Sequence, residues 1–149
     1  MIFWYIRFAL EWSIWIIFAD KKRWRELFPA GFMAGLYGTT TDIITYYYPL
    51  WKYDGDVSPI PRLVNTWGMY IVVVYLFLQY LPSKRSFGRI LVYWFIWTSI
   101  AAAIEKIHVI TGHMTYHLWW NMYCSYLADW VLFSIFYLYY KIFKFERMR

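Results

Sequence analysis

The chain has 149 residues, of which 62% are hydrophobic and 26% aromatic, with 15 Lys and Arg against 9 Asp and Glu for a net charge of +6. Ordinary soluble domains carry about 45–50% apolar residues, so this composition excludes a conventional water-soluble fold. The basic residues gather at the ends of apolar runs without a zinc-finger or RNA-binding signature, which excludes nucleic acid as the expected partner.

Apolar runs separated by charged breaks recur along the chain, and a hydrocarbon core of ~30 Å is crossed by roughly 20 residues of helix. The pattern predicts an all-α fold: residues 1–149 form one integral membrane domain, a polytopic transmembrane bundle of five spans at about 2–19, 27–49, 62–81, 88–108 and 117–140. The first run lacks the basic region and small-residue cleavage site of a secretory signal and is expected to stay as a span. Within it Arg7 and Glu11 stand four apart, on one helix face, where pairing lowers the cost of residing in lipid.

DKKRWRE closes this span. The second carries Gly31, Ala34, Gly35, Gly38, Asp42 and Thr45 on one face. Small residues at this spacing, Gly31, Gly35 and Gly38 above all, predict close approach of a neighbouring helix. WKYDGDVSPIP then reads as an exposed loop; Asp54 and Asp56 flank a glycine, but the remaining ligands of a calcium loop are missing. The third span is the most uniformly apolar and ends in PSKRSFGR. The fourth presents Thr98, Ala101, Ala102 and Glu105 on one face, with His108 at its edge. Gly112 breaks the helix in ITGHMTYH.

Projected at ~100° per residue, the fifth span gathers His117, Asn121, Cys124, Ser125, Ala128 and Asp129 in one arc. The single Cys124 excludes an intrachain disulfide and reads as a buried thiol. The span ends in KIFKFERMR. Eleven of the fifteen Lys and Arg then fall on one side, with Lys52, Arg62 and Lys106 on the other and Arg7 inside a span. The positive-inside rule therefore predicts an outer N-terminus, a cytoplasmic C-terminus and an outer histidine loop, with Trp4, Trp24, Trp51, Trp67, Trp119 and Trp120 as interfacial anchors.

Glu11, Asp42, Asn121, Ser125 and Asp129 form the candidate polar interior. A carboxylate within a span costs on the order of 2.5–3.5 kcal/mol on insertion scales, so each calls for a partner or a task. Interhelical bonding is the structural reading; carrying protons is the functional one. Glu105, His108, His113 and His117 form a candidate outer cluster. Imidazole and carboxylate suit a transition metal, while the rival reading is histidines at helix ends, since HExxH is absent. No motif names a catalytic residue or a cofactor.

The runs ADKKRWRELFPAGFMAGLYGTTTDIITYYYPLW and EKIHVITGHMTYHLWWNMYCSYLADW resemble those of an uncharacterised family of small multispanning membrane proteins of spore-forming, Gram-positive bacteria. The resemblance covers most of the chain and implies a bacterial plasma membrane; it transfers no active-site residues. Three function classes follow. The first is a non-enzymatic membrane component, in contact with the lipid bilayer and with a second copy or another membrane protein. The second is a small proton-coupled permease using Asp42, Glu105 and Asp129. The third is a membrane-embedded enzyme with a metal or lipid at the outer cluster.

Overall fold

A computed structural model describes residues 2–54, 58–84 and 86–148. Asp56 of the acidic loop and Arg85 and Arg149 of the basic blocks lie outside the described residues. Among those described there are five helices, α1 (Ile2–Phe18), α2 (Trp24–Tyr47), α3 (Ile60–Gln79), α4 (Phe87–Ile110) and α5 (Met122–Ile142), and two strands, β1 (Trp51–Tyr53) and β2 (Met114–Tyr116). α3 and α4 are each long and apolar enough to cross a membrane. α1 meets the same standard only together with Lys21–Tyr47, from which it is bent by 100°. By length and composition the chain therefore has two or three membrane-crossing elements. α1 alone, at 17 residues, rises about 25 Å and falls short of a full core thickness.

α3 is the axis of the bundle, because from Ile71 to Leu78 every side chain but the half-buried Val73 is buried. It is interrupted by a π-helical stretch, Asn65–Tyr70, a distortion of the kind that often marks functional sites. α2 packs antiparallel to it through the expected small-residue stripe. A Cβ on Gly31 would stand 3.2 Å from the Ile71 carbonyl oxygen, and one on Gly35 would stand 3.2 Å from that of Thr66. Gly38 faces the Tyr70 ring. Backbone meets backbone here, so the side chains had to be absent.

α1 runs in the same direction as α3. Trp12 Nε1 donates to the Trp67 carbonyl at 3.1 Å, and the Asp20 amide donates to Gln79 Oε1 at 2.7 Å. α4 and α5 form an antiparallel hairpin in which Trp94 Nε1 donates to Ser134 Oγ at 3.1 Å. An aromatic cluster joins this hairpin to α3, with the Phe77 ring 5.0 Å from Trp94 and 4.7 Å from Phe133 between centroids. Large apolar side chains such as Leu10, Ile17, Leu127 and Leu138 remain exposed around the outside.

One end of the bundle holds the bend between α1 and α2. Glu26, at the end of the basic block DKKRWRE, is almost completely buried, at 1% exposure. Arg23 donates to it from Nε at 2.7 Å and Nη2 at 2.6 Å, and the Tyr140 hydroxyl donates to it from the end of α5. Arg23 Nη1 also donates to the Gln79 carbonyl at 3.1 Å. Two ends of distant helices are thus fastened to one buried carboxylate.

At the other end, the two segments expected to be a loop and a turn pair with each other. β1 and β2 are antiparallel, with Lys52 opposite Thr115. Gly112 adopts φ +77°, a left-handed conformation that glycine allows without strain, and so turns the chain from α4 into β2. The start of α5 is later than the projected span. Asn121, with extended backbone, accepts hydrogen bonds from the amides of Tyr123 and Cys124 and caps the helix, so His117 lies outside it. Trp24, Trp67 and Trp119 are exposed as anchors should be, whereas Trp4 is fully buried and donates to Asp54 Oδ1 at 2.8 Å.

Candidate functional site

Beneath the two-stranded sheet the bundle forms a half-open cavity of about 370 Å³. All five helices and both strands contribute to its wall: Arg7 from α1, Thr41 from α2, Asn65, Met69 and Tyr70 from α3, Ala101, Glu105 and His108 from α4, and Ser125, Ala128 and Asp129 from α5. Trp51 and Tyr53 of β1, Met114 of β2 and Trp120 close the sheet end. The π-helical stretch supplies all three α3 residues of this wall.

Arg7 makes the expected pair with Glu11, with Nε 2.7 Å from Oε1, but the pair turns inward rather than toward the outer surface. Arg7 is 9% exposed, and its Nη2 lies 2.8 Å from Met69 Sδ. The reason is Gly68, whose missing side chain leaves room for the Glu11 carboxylate. Arg7 therefore reaches the cavity with its charge already matched.

Glu105 accepts a hydrogen bond from the Tyr116 hydroxyl at 2.5 Å. Burial, and then this bond to Glu105, push the Tyr116 phenol above its ordinary pKa, so it remains a donor through the physiological range. Asp129 lies near Glu105 on the same wall and has no hydrogen-bond or ion-pair partner among the described residues. Ser125 is buried and accepts from Trp120 Nε1 at 2.8 Å. Asp42 is also buried, at 2% exposure, beside the cavity rather than on its wall. Burial, followed by the charge of Asp42, raises the pKa of the Tyr53 phenol.

The expected polar interior is therefore partly assembled. Asp129 and Ser125 line the cavity, Glu11 reaches it through Arg7, and Asp42 stands next to it; Asn121 is an exposed helix cap and belongs elsewhere. Cys124 is half-buried and does not join the wall.

The outer cluster does not converge. His113 Nδ1 sits 3.2 Å from Asp54 Oδ2, and His117 Nε2 lies 3.0 Å from Thr115 Oγ1. His108 faces the Ile104 carbonyl through Nδ1 at 2.7 Å and reaches the cavity alongside Glu105. Among the described residues, no three His, Cys, Asp or Glu side chains are grouped so as to hold a metal ion. His108 and His113 pack against the same Phe3 and Trp4 rings, yet their polar atoms face different partners, and His117 stands apart on the loop after β2.

Asn65, Tyr53, Tyr70 and Trp120 also line the cavity, and neither they nor the Arg23–Glu26–Tyr140 clamp are among the residues expected from the sequence. A polar Asn65 close to Gly68 in the otherwise most apolar run was the available signal for the first group. No family model, curated protein or solved structure matches this chain.

Proposed function

We propose that this chain is a multi-pass integral protein of a bacterial plasma membrane, a non-enzymatic component that binds a small molecule in the cavity between its helices. The observation that carries the reading is the cavity itself: about 370 Å³, walled by every helix and both strands, mostly apolar, with a few convergent polar groups. Small-molecule sites have this character. Five crossings, an outer N-terminus and a cytoplasmic C-terminus complete the reading. In their support, Lys21, Lys22, Lys84, Arg89, Lys141 and Lys144 belong to the end of the bundle that holds the α1–α2 bend, while the sheet closes the opposite end. The short α1 is then a crossing over which the bilayer thins, stabilised by its inward-facing ion pair.

A second reading, a permease, draws on Glu105 and Asp129 sharing the cavity wall, since intramembrane carboxylates mark ion and substrate paths. Both readings require an occupant. Native mass spectrometry of protein released from its own membrane is expected to detect a small molecule bound to the wild type and lost from Ala101→Trp, which fills the cavity. Wild-type protein that is bare, or an adduct retained by a folded Ala101→Trp variant, would remove the case for a binding site.

A further inference from the structure

Two carboxylates and one imidazole acceptor share the cavity wall, and this combination selects a ligand class. Asp129 presents a carboxylate with no hydrogen-bond or ion-pair partner among the described residues, and Glu105 on the same wall uses Oε1 for Tyr116. His108 is 5% exposed. Its Nδ1 faces a carbonyl, which can only accept, so Nδ1 carries a hydrogen and Nε2 is the acceptor of the neutral ring. That buried Nε2 has no partner among the described residues. On the donor side, Arg7 is engaged by Glu11 and Met69.

We infer that the cavity binds an organic primary amine in its protonated form, with the ammonium held by Asp129, Glu105 and His108 Nε2. This inference rests on the binding reading above and deepens it. A protonated amine brings one positive charge and three N–H donors, which match two carboxylates and one imidazole acceptor. A quaternary ammonium has the charge without the donors and leaves the imidazole unsatisfied. An anion meets two carboxylates. The apolar body of the amine lies against Tyr70 and Trp120, whose ring faces favour a nearby cation.

The test uses purified full-length protein in lipid nanodiscs and three probes of nearly one shape: benzylamine, benzyl alcohol and benzoate. Binding is read by tryptophan fluorescence and by the shift in melting temperature. Benzylamine is expected to bind at least tenfold more tightly than either of the others. Asp129→Asn is expected to lower its affinity at least tenfold while melting like the wild type. If that variant does not fold, Glu105→Gln serves, with the same expected loss.

Equal binding of benzylamine and benzyl alcohol, or tighter binding of benzoate, overturns the amine assignment and leaves the binding site standing. Undiminished benzylamine affinity in the folded carboxylate variants also overturns it. Failure of all three probes, with a small molecule still detected on protein from the native membrane, overturns the assignment alone. Failure of the probes together with bare native protein overturns both readings.

Discussion

Replacing Gly68 by alanine tests why a charged pair is tolerated inside α1. A Cβ at position 68 would occupy the place of Glu11 Oε2 and stand 3.2 Å from Phe8 Cδ2. The Glu11 carboxylate must then move, and its bond to Arg7 Nε at 2.7 Å is stretched or lost. The Arg7 and Glu11 side chains are only 10% and 14% exposed, so water does little to replace the bond. A hydrogen bond to a charged group is worth about 1.5–3 kcal/mol net. For a chain of this size each kcal/mol moves the melting temperature by about 2–4 °C, so Gly68→Ala is expected to lower it by roughly 3–12 °C.

The assay is thermal unfolding in nanodiscs, run as a cycle with Glu11→Ala. In that background the added methyl meets no carboxylate, and the cost of Gly68→Ala should largely vanish. An unchanged melting temperature in the wild-type background, or an equal loss in both backgrounds, would refute the argument that this glycine exists to house Glu11.

Gly35→Leu is expected to disrupt the bundle far more than Ala9→Leu, because the first drives a side chain into the Thr66 backbone and the second adds apolar surface at an exposed position; equal yield and melting temperature would dissolve the packing stripe. Tyr140→Phe removes the hydroxyl that reaches Glu26 across 114 residues and is expected to cost about 1.5–3 kcal/mol, read as a lower melting temperature. No change there would mean that α5 is not fastened to the α1–α2 bend. Single cysteines placed in a Cys124→Ser background at Lys52 and Thr111 should label from outside intact cells, and those at Lys22 and Lys144 only after the membrane is opened. The reverse pattern would invert the proposed orientation.

The features legible in the sequence were those with a local period. Gly31 and Gly35 announced the α2–α3 contact because four-residue spacing fixes one helix face, and the same rule paired Arg7 with Glu11. Ser125 and Asp129 were placed together for that reason, and both reach the cavity. The pairing of β1 with β2 was not legible, since three-residue strands are too short to display alternation and their partners are some sixty residues apart. Glu26 was hidden for a different reason. A carboxylate among four basic residues reads as solvated, and only the distant Tyr140 and the bend reveal it as a buried anchor. Asn121 did carry a readable signal, because Asn before an apolar run is a favoured cap, but the apolar LWW that precedes it drew the helix start back to His117.

An experimental structure of the protein extracted from its own membrane with its lipids shows directly whether the cavity between the helices holds a small molecule. The expected result is nonprotein density within the cavity, shaped like a compact molecule and in hydrogen-bond reach of Asp129. A cavity collapsed by its own side chains, or filled by a lipid acyl chain that makes no polar contact with Asp129 or Glu105, would contradict it.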